Sequence, residues 1–359
     1  MRSALVVGAG VFGLSIAREL ARRGRRVIVA DRHPPGHTGP STAESRILRC
    51  AYGNRHWYSA MARASTRHWQ DLETESGRNL LIPCGVLSFA SRTRSGPDGT
   101  DWEEVSLATL RDLGIPAEKL VSREVERRFP GVGAADLDFA LHEPESGVLR
   151  AKEAVRALAD SARRHGCRLV RGTATPEGAG VRIDGTPHTA DVVVWAVGAA
   201  LPGLFPGLTS AREARQLSYF LDSPRMPCAP GAPAWIDRGR GLYGVGSLSG
   251  LGVKVVPDVE TPARRPAPAA PPDVPAATRA YLRRRFPALG AAPVTAVETC
   301  AYAVMADEEF LLGRHPAHDG VWLVGGDSGH GFKNAPAWGK YVCDVVDGTR
   351  AAHPRWGLR

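Results

Sequence analysis

No feature constrains this chain more than its first thirty-one residues. Leu5-Val6-Val7 is an apolar strand, Gly8-Ala9-Gly10-Val11-Phe12-Gly13 a glycine turn, and the run to Arg23 an amphipathic helix. Val27-Ile28-Val29-Ala30-Asp31 is a second apolar strand that ends in an acid. Each part has a physical role in holding a dinucleotide. Gly8 permits the tight turn, Gly10 has no Cβ and lets a pyrophosphate approach the backbone, and Gly13 lets helix and strand pack closely. Free N–H groups at the helix N-terminus, beside Val11 and Phe12, then face the phosphates. Asp31 lies 18 residues beyond Gly13, where its carboxylate can accept from an adenosine ribose. The alternative is a glycine-rich turn in an ordinary βαβ unit, and the motif does not separate FAD from NAD.

The chain has 359 residues, enough for two interleaved domains. No apolar run reaches the length of a membrane span, and the N-terminal apolar segment is broken by the glycine turn and by Arg18 and Arg22. A soluble cytoplasmic protein with no membrane partner is expected. The net charge of +9 is spread along the chain rather than clustered. It favours an anionic small-molecule substrate over nucleic acid. Six cysteines, far apart and without a CxxC pair, give neither a zinc site nor a disulfide framework.

Farther along, a helix is expected over residues 55–75, and Val86 to Ala90 alternates as a strand. Residues 101–129 read as helical with breaks at Gly114 and Pro116, and 151–165 as a helix. Asp191 to Ala199 reads as a buried strand running into a turn at Gly198. From 215 to 255 the chain reads as several strands, followed by a Pro/Ala-rich connector over 257–275. Asp307-Glu308-Glu309 reads as a solvated acidic turn. The expected fold class is α/β (α+β): a Rossmann-like dinucleotide-binding domain with an inserted antiparallel-sheet substrate domain. The former takes residues 1–84, 147–214 and 296–359, the latter 85–146 and 215–295, with the site at their interface.

Several local patterns then coincide in order and spacing. They are Ser45-Arg46-Ile47-Leu48-Arg49 with Ala51-Tyr52-Gly53, Tyr243 with Gly252-Val253-Lys254, and Cys300-Ala301-Tyr302 before Asp307-Glu308. Val194 to Ala199 and Ser328-Gly329-His330-Gly331-Phe332-Lys333 complete the set. Over nearly its whole length the chain resembles monomeric sarcosine oxidase and N-methyltryptophan oxidase, D-amino-acid-oxidase-like FAD-dependent oxidoreductases. The resemblance implies FAD, held by the glycine turn, by Asp31 and Arg32, by Thr42, Ser45 and Arg46, and by Gly198. It also implies that the loop Gly329, His330, Gly331, Phe332 and Lys333 covers the flavin and that Cys300 is the covalent attachment point. Arg49 and Lys333 would clamp a substrate carboxylate, Tyr243 and Tyr302 would line the pocket, and Lys254 would face the ring where oxygen reacts. Thr42 and Asp258 depart from the family pattern, each standing where a histidine is common.

These residues also suit the chemistry on their own terms. A C–H next to an amine must be aimed at the cofactor, and an arginine fork with a lysine gives a carboxylate handle that aims it. The plainer alternatives are a helix-capping surface arginine for Arg49, a loop lysine for Lys333, an exposed strand lysine for Lys254 and a buried structural thiol for Cys300. The expected activity is oxidation of an N-substituted amino acid by a monomeric flavoenzyme, with molecular oxygen reduced to hydrogen peroxide. The other readings are an oxidase of a cyclic imino acid, a flavin dehydrogenase using an electron carrier, and a non-enzymatic basic binding protein.

Overall fold

The structure is a computed structural model that describes residues 2–37, 39–91, 101–223, 226–259 and 272–359. The apolar run Ser3–Val7 forms the middle of a six-stranded sheet. The order across that sheet is Leu311–Arg314, Val321–Gly325, Val192–Trp195, Ser3–Val7, Arg26–Asp31 and Arg168–Arg171. All junctions are parallel except the edge pair Leu311–Arg314 with Val321–Gly325. Strands with both faces covered need apolar residues on both, which explains the continuous runs at Leu5-Val6-Val7 and Val192-Val193-Val194. On one face Ala4, Val6, Val27 and Val194 pack with the helices Val11–Arg22, Ala151–Arg164 and Ala335–Val346. On the other, Leu5, Val7, Val193 and Trp195 pack with Val181, Ile183, Leu201 and Phe205.

A second sheet has eight strands. They run in the order Val294–Val304, Arg212–Leu221, Val253–Pro257, Leu242–Val245, Ala234–Asp237, Val86–Ser91, Leu137–Glu143 and Glu118–Leu120. Every junction is antiparallel except Val86–Ser91 with Ala234–Asp237. The helices Ser122–Arg128 and Ala276–Arg285 contribute Val125, Tyr281 and Leu282 to the apolar cluster on this sheet. A small sheet of Ser45–Leu48, Gly147–Arg150 and Leu81–Ile82 carries Arg46.

Local expectations differ from the structure in a few places. The 101–129 stretch is a helix Trp102–Asp112, capped by the Asp101 carboxylate on Glu103 N, then a strand Glu118–Leu120 and a helix Ser122–Arg128. The break is set by Gly114, with φ +63°, and by pairing of Glu118–Leu120 at the sheet edge. The strand that carries Cys300 and Tyr302 extends over Val294–Val304, because it pairs with the whole of Arg212–Leu221. Of the expected Pro/Ala-rich connector, residues 260–271 lie outside the described residues. Among those described, no helix is long and apolar enough to cross a membrane.

Candidate active site

The N-terminal glycines divide the work between packing and access. Gly8 has φ +108°, and a Cβ there would lie 2.3 Å from the Ala196 carbonyl oxygen. A Cβ on Gly13 would lie 1.8 Å from the Gly8 carbonyl oxygen, so both positions need glycine for strand–helix closure. Gly10 differs: its nearest neighbour would be Ser41 Oγ at 3.3 Å. It borders a cavity of about 350 Å³ that runs past Gly8, Val11, Phe12, Asp31, Arg32, Thr42, Gly198 and Tyr302. The open face at Gly10, at a helix N-terminus, fits a diphosphate, and a cavity lined by that turn and Asp31 as well as by Gly198 and Tyr302 suits a dinucleotide. Asp31 first anchors the turn: its carboxylate accepts from Ala9 N at 2.7 Å and His33 N at 2.8 Å. A carboxylate has about four acceptor sites, so lone pairs remain for a ribose. Ser41 carries no sequence signal. Its hydroxyl accepts from Val11 N at 3.2 Å, while Thr42 donates to Gly39 O at 2.8 Å.

A second group gathers at the Ser45 carbonyl. Arg46 donates to it from Nη1 at 2.9 Å, and Lys254 from Nζ at 3.3 Å. Arg46 Nη2 reaches the Pro40 carbonyl and the Cys300 thiol, the latter at 3.3 Å. Lys254 is only 3 % exposed, which rules out an exposed strand lysine. Burial, assisted by the Arg46 charge, lowers its pKa to about 8. Cys300 is half-buried on its long strand with that guanidinium beside its sulfur.

The third group surrounds Tyr52. The Arg49 guanidinium carbon lies 4.8 Å from the ring centroid and Lys333 Nζ lies 4.9 Å from it. Arg49 Nη1 is buried without a hydrogen-bond partner. Lys333 is buried and donates to His330 O at 3.2 Å. Its burial, with the Arg49 charge as second cause, pushes its pKa well down. Glu143 is buried nearby but accepts from Cys50 N at 2.5 Å, Ala51 N at 3.3 Å and Ser146 Oγ at 2.9 Å, and pairs with neither cation. Two close cations with no carboxylate in ion-pairing distance are unfavourable until a negatively charged group joins them.

The loop between these groups is shaped by contacts. His330 Nε2 is 2.9 Å from Glu308 O, and its ring stacks on Phe310 at 4.8 Å. A carbonyl there calls for the Nε2–H tautomer, leaving Nδ1 to accept from Tyr52 OH at 3.3 Å. Burial first, then Lys333, lowers the His330 pKa to about 3, so the ring stays neutral. Gly329 has φ +74° and lies against Tyr302, and a Cβ on Gly331 would meet Asp327 Cβ at 2.5 Å and Phe12 Cζ at 2.6 Å. Phe332 is buried and stacks on Trp69 at 5.9 Å. Tyr243 OH donates to Gln216 Oε1 at 3.1 Å, and Gln216 Nε2 to Asp258 Oδ1 at 2.8 Å. Gln216, Asp327 and Trp102 carried no sequence signal. Asp327 lines the cavity, and burial raises its pKa to about 6.

One expectation is corrected. Glu309 is not on a solvated face: it is buried and accepts from Tyr58 OH at 2.9 Å and Trp356 Nε1 at 3.2 Å. Phe310 enters the core beside it and carries Glu309 inward, whereas Asp307 stays outside and pairs with Arg359.

Residues 3–345 match the family described as FAD dependent oxidoreductase. A monomeric sarcosine oxidase of Streptomyces avermitilis is 30% identical, over 98% of this chain and 94% of its own. An N-methyl-L-tryptophan oxidase of Yersinia pestis is 28% identical, over 94% and 92%. The crystal structure of glycine oxidase from Geobacillus kaustophilus superposes with a TM-score of 0.80 at 22% identity, covering 100% of this chain and 99% of that one, which shows a shared fold. The chain belongs to the FAD dependent oxidoreductase family and is a flavoenzyme of its sarcosine-oxidase-like branch.

Proposed function

We propose that this enzyme oxidises a secondary-amine amino acid, of the N-alkyl or N-carboxymethyl glycine type, and passes the electrons to molecular oxygen to give hydrogen peroxide. The observation that carries the reading is the Arg49–Lys333 pair around Tyr52, with Arg49 Nη1 buried and unpartnered. A substrate carboxylate would supply the missing anion and fix the neighbouring C–H. The FAD held here would supply a hydride acceptor for the carbon next to the amine, and the imine so formed would be hydrolysed by water. Tyr243 and Tyr302 would wall the pocket, and His330 would hold the loop rather than move a proton. Lys254 would place a buried positive charge where oxygen is reduced, and its 3 % exposure supports oxygen over a carrier protein as acceptor. The Cys300 sulfur lies 3.3 Å from Arg46 Nη2, among the residues read as holding the flavin, which supports attachment of the cofactor there. On this reading residues 1–84, 147–214 and 296–359 hold the cofactor, and 85–146 and 215–295 the substrate.

The test is peroxide release from the aerated holoenzyme after addition of N-methyl and cyclic amino acids. Stoichiometric peroxide with substrate turnover supports the reading. Turnover that needs an added dye and yields no peroxide would make the enzyme a dehydrogenase.

A further inference from the structure

Arg238 begins the turn Arg238–Arg240, directly after the strand Ala234–Asp237. The turn is fixed from below. Asp237 is fully buried beside Arg285 and accepts from Arg240 N at 3.1 Å. The Arg238 guanidinium carbon lies 4.6 Å from the centroid of Trp102, and that of Arg49 lies 5.3 Å from the same centroid. Two carbons at those distances from one point are no more than 9.9 Å apart. Trp102 is itself seated against Gly53, where φ is +60° and a Cβ would come 2.9 Å from Nε1.

Neither guanidinium is neutralised. The guanidinium of Arg238, an exposed residue, makes no hydrogen bond or ion pair among the described residues, and Arg49 Nη1 is orphaned. Glu103, Glu308 and Asp258 bear on Arg238 electrostatically, but none is within ion-pairing distance. Glu103 does not supply the missing charge. Burial, then the neighbouring Asp101, raises its pKa to about 8, and both its carboxyl oxygens are buried without partners. Two unpaired guanidiniums around one indole match a small molecule that carries two acid groups on a short chain.

We propose that Arg238 is a specificity-determining residue that binds a second carboxylate of the substrate, so that the enzyme selects N-substituted amino acids with two acid groups. This rests on the reading of Arg49 and Lys333 as the handle for the first carboxylate.

The test uses two thioethers, (methylthio)acetate and thiodiacetate, in which sulfur replaces the amine nitrogen so that no imine can form. Each is titrated into the holoenzyme and read by the change in flavin absorbance. Wild type should bind the diacid more tightly than the monoacid. Arg238→Met should lower that preference by about tenfold or more, as expected for losing one partner of a charged pair. Arg238→Lys should retain part of it. A wild type without preference for the diacid, or an Arg238→Met ratio within twofold of wild type, overturns the proposal. Failure of both thioethers to bind wild type overturns it together with the Arg49–Lys333 handle, whereas tight monoacid binding without diacid preference overturns it alone.

Discussion

Arg46 and Lys254 donate to one acceptor, the carbonyl oxygen of Ser45, at 2.9 and 3.3 Å, although they lie on different sheets. That shared oxygen ties the arginine proposed to hold the cofactor to the lysine proposed for the oxygen reaction. Burial and the Arg46 charge lower the Lys254 pKa to about 8, so the ammonium form dominates below that pH. The rate at which oxygen reoxidises the reduced enzyme should therefore fall as pH rises through about 8. Lys254→Met keeps the stem and removes the charge. It should slow reoxidation by orders of magnitude, at tenfold per about 1.36 kcal/mol, and erase the pH step. Stopped-flow mixing of reduced enzyme with oxygenated buffer measures both, and a rate within twofold of wild type would contradict the assignment.

Arg49→Ala and Lys333→Met should each weaken simple carboxylate ligands. Truncating one partner of a buried charged contact costs about 2–5 kcal/mol, which is roughly 30-fold or more in affinity. Titration of acetate against flavin absorbance reads the effect, and unchanged affinity in both variants would remove the handle.

Cys300 should carry FAD through a thioether. Acid denaturation of the wild type should leave the yellow colour on the polypeptide, and Cys300→Ser should release it. Equal protein-bound colour in the variant would place the attachment elsewhere.

The two outer glycines and the middle one should fail differently. Gly13→Ala puts a methyl 1.8 Å from the Gly8 carbonyl oxygen and should yield no folded protein. Gly10→Ala meets only Ser41 Oγ at 3.3 Å, so the apoprotein should melt within a few degrees of wild type yet take up little FAD, leaving little to attach at Cys300. A full FAD content in purified Gly10→Ala would mean that the phosphates do not approach that backbone.

What could be read in the sequence was what is local. The strand, turn, helix and acid of residues 3–31 declare themselves because each depends on neighbours in the chain. The apolar runs at 192–195 and 321–325 likewise mark strands with both faces covered. Ser41 has no local signature because its role comes from a loop folding back 30 residues onto Val11. Trp102, Arg49 and Arg238 meet across three separate segments, and no spacing rule links them. Glu309 looked solvated because charge in a run of acids usually is. Its partners Tyr58 and Trp356 lie 251 and 47 residues away, where sequence pattern has no reach.

A carboxylate-bearing secondary amine should reduce the flavin at this site, a step that anaerobic bleaching reads without the oxygen reaction. The holoenzyme is mixed without oxygen with N-methylglycine, N-methyltryptophan, proline and iminodiacetate, and in parallel with dimethylamine, which lacks the carboxylate. Bleaching is expected with at least one of the amino acids, and none with dimethylamine at the same concentration. Bleaching by none of the amino acids, or equally fast bleaching by dimethylamine, would contradict the proposed function.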